Sequence, residues 1–191
     1  YAYRVNSGGK TVINAREGVV GLGDASIMGK YQVLNETGLL PALSIRAALK
    51  LPTGDESNLL GSGSPDYGFG LALEKHVAKD WILYANLSGV IPTGHIAGFG
   101  LQPVVSGIFA VEYLWSENFS LVGHFDYYSS PLYGTGTHVL DKGVTEGVLG
   151  FSYRLRPQLL WQVYAVENLD FIVGSAADFT LSTVVTFQFG S

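Results

Sequence analysis

His124 and Asp126 stand two residues apart in a run of alternating apolar and polar residues, and on an extended strand that spacing puts both side chains on one face. A histidine held by a carboxylate is how a general base is oriented, and Ser120 or Ser152 would then serve as the nucleophile of a lipid hydrolase. No spacing fixes either serine near His124, so the row reads better as a ladder of polar groups, and the chain is expected not to be an enzyme. Of the other three histidines, His76 falls in a turn, His138 in a loop, and His95 after a Pro-Thr-Gly turn. Cysteine is absent, which removes a thiolate zinc site, a cysteine nucleophile and a disulfide scaffold. Asp55 and Glu56 adjoin in a long loop, where acids ordinarily face solvent, so neither a metal nor a cofactor is expected. Gly61-Ser62-Gly63 and Gly68-Phe69-Gly70 resemble pieces of a phosphate loop, yet neither leads into a helix whose N-terminus would hold the phosphate.

The balance of charge narrows the partners. Sixteen acids against eleven bases give a net charge of −5 over 191 residues, with no basic block, and a nucleic-acid partner is therefore not expected. Charged residues make up 14 % of the chain and aromatics 13 %, against a usual charged share of ~25 %, so the surface is not an ordinary water-facing one. The longest stretch without Asp, Glu, Lys or Arg runs from Trp81 to Val111, but Pro92, Pro103 and several glycines break it and no helix span results. The length suits one domain over 1–191, and the opening Tyr1-Ala2-Tyr3-Arg4, without an initiator Met or a signal, reads as a chain lacking an N-terminal portion.

Period-2 alternation dominates. Phe179, Leu181, Val185 and Phe187, with Phe189, share one parity, and Thr180, Ser182, Thr186 and Gln188 the other, with Thr183 and Val184 as exceptions. The same holds for Trp81, Leu83, Ala85 and Leu87 against Tyr84, Asn86 and Ser88; for Phe109 and Val111 against Ala110 and Glu112; and for Phe125 against His124 and Asp126. Leu43, Ile45, Ala47 and Leu49 oppose Ser44, Arg46 and Lys50; Tyr67, Phe69 and Leu71 oppose Asp66, Gly68 and Gly70; Phe151 opposes Ser152, and Trp161 opposes Gln162. About ten strands of ~9 to 12 residues follow, the length a tilted strand needs to cross a bilayer. Connections alternate between tight ones (35–38, 76–80, 115–118, 156–158) and long ones (55–63, 94–103, 129–141, 169–177). Leu51-Pro52-Thr53-Gly54 recurs as Ile91-Pro92-Thr93-Gly94, a repeat of one hairpin rather than of a four-stranded propeller blade.

These patterns predict an all-β, antiparallel, up-and-down transmembrane barrel, part of a larger barrel of roughly twelve strands, in preference to a soluble sandwich or lipocalin-like carrier. Its lumen would be lined by Asp24, Lys30, Arg46, Lys50, Asp66, Glu74, Glu112, His124, Asp126, Glu146 and Arg154. Trp81, Leu83, Phe109, Phe125, Phe151, Trp161, Phe179, Leu181, Phe187 and Phe189 would face lipid, with aromatic residues near strand ends as interfacial girdles. Within the hairpin around the loop 55–63, Lys50 is expected beside Asp66, with Arg46 deeper and in reach of Gly70 and Glu74.

Several short segments, in order, carry a family resemblance: Gly21-Leu22-Gly23-Asp24, Lys30-Tyr31, Pro41-Ala42-Leu43, Leu51-Pro52-Thr53-Gly54, Gly61-Ser62-Gly63, Asp66-Tyr67, Asn86, Ile91-Pro92-Thr93-Gly94, Glu167-Asn168 and Asp178-Phe179-Thr180-Leu181. Together they resemble the bacterial outer-membrane β-barrel family named for the MetA pathway of phenol degradation, and a neighbouring proteobacterial outer-membrane family of unknown function. The resemblance implies a porin-like or hydrophobic-solute channel in the bacterial outer membrane, or else a structural, partner-scaffolding barrel with a plugged lumen. Outer-membrane lipid, the outer-membrane insertion machinery and a small-molecule permeant would be its partners.

Overall fold

Side chains that alternate in character along an extended chain sort onto two faces once neighbouring strands pair in register, and here they do so across one broad sheet. The structure, a computed structural model, describes residues 3–7, 10–15, 20–56, 60–96, 99–169 and 179–189. A first hairpin pairs β1 (Tyr3–Ser7) with β2 (Lys10–Ala15) apart from the rest. The main sheet follows chain order through β3 (Ala25–Leu34), β4 (Ala42–Leu51), β5 (Asp66–Ala78) and β6 (Trp81–Pro92). It continues, past a small hairpin of β7 (His95–Ile96) and β8 (Phe99–Gly100), through β9 (Val104–Leu114) and β10 (Phe119–Tyr128). After α1 (His138–Asp141), a single turn of helix, come β11 (Val144–Arg156), β12 (Leu159–Asn168) and β13 (Phe179–Phe187).

Every neighbouring pair in this sheet is antiparallel. Tight turns join β3 to β4, where Gly38 takes a positive φ of 51°, and β5 to β6, β9 to β10 and β11 to β12; the other links are long. The last long connection falls mostly on residues outside those described, as does Asp178.

The register keeps even-numbered residues on one face from β3 to β13, as in the row Glu112, Val122, Gly150 and Tyr164 on β9 to β12. On the even face Ser44, Ile82, Ala110, Ser120, Val144, Val148, Ser152 and Asn168 are buried. On the odd face Phe69, Phe109, Phe125, Leu149 and Leu181 stand exposed. The described elements touch one another only along the strand ladder, so the sheet's own curl, with the even side concave, buries those residues. The molecule is therefore polar and crowded inside the curve and apolar outside it.

The expected closed transmembrane barrel is corrected at this point. Among the described residues β3 and β13 each pair on one side only, and the nine-stranded sheet is open. Antiparallel neighbours make the first and ninth strands run in the same direction, and a ring of antiparallel strands closes only with an even number. The described residues enclose no lumen. The porin-like or solute channel, the plugged scaffolding barrel, the lipid and insertion-machinery partners, the permeant and the outer-membrane location all rested on closure and are not supported. No helix among the described residues is long and apolar enough to cross a membrane, a statement that concerns helices alone.

Candidate functional site on the polar face

At the end of the sheet where the long loops lie, Lys50 on β4 reaches Asp66 on β5 at 2.5 Å and Asp24, just before β3, at 3.3 Å, and also donates to Ser62. Asp24 accepts the backbone N–H groups of Gly54 and Ser62, each at 3.0 Å. Those backbone donors, followed by Lys50, hold its carboxyl down at about 2, against the opposing effect of desolvation. Burial works against the Lys50 ammonium, but its bonds to Asp66 and Asp24 outweigh that and raise its pKa. The Pro-Thr-Gly repeat is explained here. Thr53 donates to the Gly23 carbonyl while the next N–H binds Asp24, and Thr93 donates to the Pro65 carbonyl while its own N–H binds Asp66. Each copy is the clasp between the exit of one strand and an aspartate at the entry of its neighbour.

Beside the tight β9–β10 turn the even face opens into a cavity of about 420 Å³ whose lining includes Tyr84, Glu112, Glu117, Ser120, Ser152, Arg154, Gln162 and Tyr164. Gly150 lies between two of its lining residues, Val122 and Tyr164, in one register row, and a side chain on Gly150 would collide with the Tyr164 ring. Glu112 accepts the Tyr84 hydroxyl at 2.6 Å on one oxygen and the Ser120 hydroxyl at 2.5 Å on the other. Gln162 donates to Ser152 at 3.0 Å. Burial, then the bond to the Glu112 carboxylate, pushes the Tyr84 phenol upward, and burial does the same to Tyr164. Neither tyrosine is a base at neutral pH, and both carboxylate oxygens of Glu112 already accept hydroxyls.

Farther along β10, towards the long β10–β11 loop, His124 stacks on Tyr164 with ring centroids 6.4 Å apart and approaches Asp126 at 3.8 Å. Asp126 faces Glu146 directly across the β10–β11 ladder. One oxygen of Asp126, Oδ1, is buried without a hydrogen-bond partner among the described residues. Burial raises the Asp126 pKa despite the pull of His124, and burial followed by Asp126 raises that of Glu146. Ser120 gives its proton to Glu112 and Ser152 accepts from Gln162, so the hydrolase constellation of histidine and serine is not assembled.

The residues predicted from sequence fall where parity placed them, without a lumen to line. Lys30, Arg46, Lys50, Asp66, Glu74, Glu112, His124, Asp126, Glu146 and Arg154 lie on the even face, and Asp24 joins them from ahead of β3. Three groups gather: Asp24 with Lys50 and Asp66, Glu112 with Tyr84 and Ser120, and His124 with Asp126 and Glu146. Arg46 does not reach Glu74. It lies across from Lys30 and Gly70 and donates to Ser88 at 3.1 Å. Trp81, Leu83, Phe109, Phe125, Phe151, Trp161, Phe179, Leu181 and Phe187 lie on the odd face, and Phe189 follows β13 in an edge-on contact with Phe187. The exception Thr183 accepts the indole N–H of Trp161 at 2.9 Å, which is why a hydroxyl stands among apolar neighbours. Sequence reasoning had Tyr84, Gln162 and Tyr164 on the polar parity without seeing a site. The available signal was a glycine, Gly150, on the polar parity of β11 beside Ser152, facing Gln162 and Tyr164 of the same parity on β12.

An open antiparallel sheet with a polar concave face, a small hydrogen-bonding cavity and an apolar outer face defines the class: an all-β protein built as a curved wall. The chain belongs to the family described as protein of unknown function (DUF3187), whose model matches residues 1–189. The named outer-membrane resemblance is thereby corrected, since the matching family carries no such assignment. No curated protein matches the chain.

Proposed function

We propose that this protein is a non-catalytic binding protein whose concave face receives a small, neutral, hydroxyl-rich solute. The observation that carries this reading is the cavity on that face, where hydroxyls, an amide and a tyrosine ring converge, with Glu112, Glu117 and Arg154 also in its lining. Such a set offers donors and acceptors with an aromatic face to cover a ring or a short chain of carbons, the usual composition of a small polar site. Catalysis is disfavoured by the chemistry of the same groups: the carboxylate that would act as base is held by two hydroxyl donors, and among the described residues neither Ser120 nor Ser152 is hydrogen-bonded to a histidine. The test is calorimetric titration of the folded chain with glycerol and a panel of neutral mono- and disaccharides. Saturable heat with at least one probe is expected, together with its loss in Gln162→Leu and its retention in Lys30→Ala, a residue away from the cavity. Absence of heat with every probe from a folded chain overturns the reading, and conversion of a bound probe overturns its non-catalytic part.

A further inference from the structure

The open edges of the main sheet differ in a way that points to a partner. Gln188 donates its N–H to the Gln158 carbonyl at 2.9 Å, which fixes even-numbered residues of β13 as those whose backbone groups bond to β12. The N–H and C=O groups of Phe179, Leu181, Thr183, Val185 and Phe187 therefore point away from β12, and among the described residues no strand meets them. A bare ladder of that length is a template for another strand unless charge, proline or a bulge blunts it. β3, at the opposite edge, carries Gly29 and Lys30 in its middle. β13, Phe-Thr-Leu-Ser-Thr-Val-Val-Thr-Phe, has no charge, glycine or proline, and its pairing to β12 runs without a register shift.

Its sequence is also nearly symmetric about Thr183. Turned end for end, Phe179 meets Phe187, Thr180 meets Thr186, Leu181 meets Val185, and Thr183 meets itself. Antiparallel self-pairing about a two-fold axis through Thr183 thus sets aromatic against aromatic, aliphatic against aliphatic, and threonine against threonine, each a favourable cross-strand pair. The axis stands perpendicular to the sheet, so the polar face of one copy continues as the polar face of the other, and every outward backbone group of β13 finds a complementary one.

We infer that β13 is the self-association edge of this protein, pairing antiparallel with β13 of a second copy in a symmetric dimer. The inference stands on the edge alone and is independent of the cavity. It is tested by cross-linking the full chain, which has no cysteine of its own. In a hydrogen-bonded antiparallel pair the facing Cα atoms lie ~5.5 Å apart, within disulfide reach. Under mild oxidation Thr183→Cys should form covalent dimers readily, whereas Val185→Cys, which would face Leu181 of the second copy, should form few. Val185→Pro removes an N–H that points to the open edge and not to β12, and should abolish the dimer in sedimentation while the strand signal in circular dichroism persists. If that variant does not fold, the two cysteine variants still decide. Equal cross-linking at 183 and 185, or a wild-type chain that sediments as a monomer at every concentration, overturns the assignment.

Discussion

Two clusters of carboxylates on the same face of the same sheet behave in opposite ways. Beside the β4–β5 loop, Asp24 and Asp66 share the Lys50 ammonium, and Asp24 also takes two backbone N–H groups; near the β10–β11 loop, Asp126 and Glu146 face one another with His124 nearby, and one buried Asp126 oxygen has no hydrogen-bond partner among the described residues. The first arrangement favours the ionised form and the second the neutral form. The lesson is that parity, which put all four acids on one face, says nothing about whether a charge is satisfied there. That depends on which donors the neighbouring strands and loops bring, and the β4–β5 loop brings the backbone N–H groups of Gly54 and Ser62 to Asp24.

The contrast is broken most severely by removing the shared cation. Lys50→Met leaves Asp24 and Asp66 facing each other and takes a donor from Ser62, and a loss of about 2 kcal/mol, or ~4 to 8 °C in Tm for a chain of this size, is expected by thermal melting. The second cluster should respond with the opposite sign. Asp126→Asn removes a desolvated charge and sets an amide donor opposite the Glu146 carboxylate, so Tm at neutral pH should rise by ~2 to 4 °C for a relief of ~1 kcal/mol. A fall would show that Asp126 is already satisfied in solution.

The pH dependence sharpens the same comparison. Asp24 and Glu36, both held at about 2, contribute stability that is complete above the ordinary carboxylate range and is lost as the pH falls towards 2. Glu36 owes its shift first to Lys75 and then to His76, which it meets at 2.7 and 2.8 Å. Asp126 and Glu146, whose folded pKa values are raised, contribute stability that is present at low pH and is lost as the pH rises through those values. Acidifying from about pH 7 to about pH 5 should therefore raise Tm slightly in the wild type, and the Asp126→Asn, Glu146→Gln double variant should lose that rise. The smallest effect is expected from Glu36→Gln at the exposed turn, where solvent screens the pairs with Lys75 and His76; its Tm should fall slightly at neutral pH, and the difference from the wild type should vanish as the pH falls towards 2.

Much of this was legible beforehand because strand side chains have a strict period. The partition of Trp81, Phe109, Phe125 and Phe187 from Arg46, Glu112 and Asp126 needed only alternation, and the meeting of Lys50 with Asp66 needed only the antiparallel hairpin that contains them. Arg46 went elsewhere because Gly70, directly across, has no side chain, and Ser88 on the next strand lies within reach. Asp24 was placed on the right face, but its role was hidden, since its partners Gly54 and Ser62 are backbone groups some thirty or more residues away and backbone donors leave no trace in residue type.

The sequence by itself determined the strands, their order and which side chains share a face, because local periodicity and short turns settle those before any distant contact forms. The tertiary structure alone decided that the nine-stranded sheet stays open among the described residues, that Ser120, Ser152 and Tyr164 line one cavity, and that one carboxylate cluster shares a lysine while the other holds a buried oxygen with no partner among the described residues. The physical reason is that closure, curvature and charge satisfaction are set by the summed twist of many strands and by groups meeting across the sheet, and no local pattern of residues encodes either.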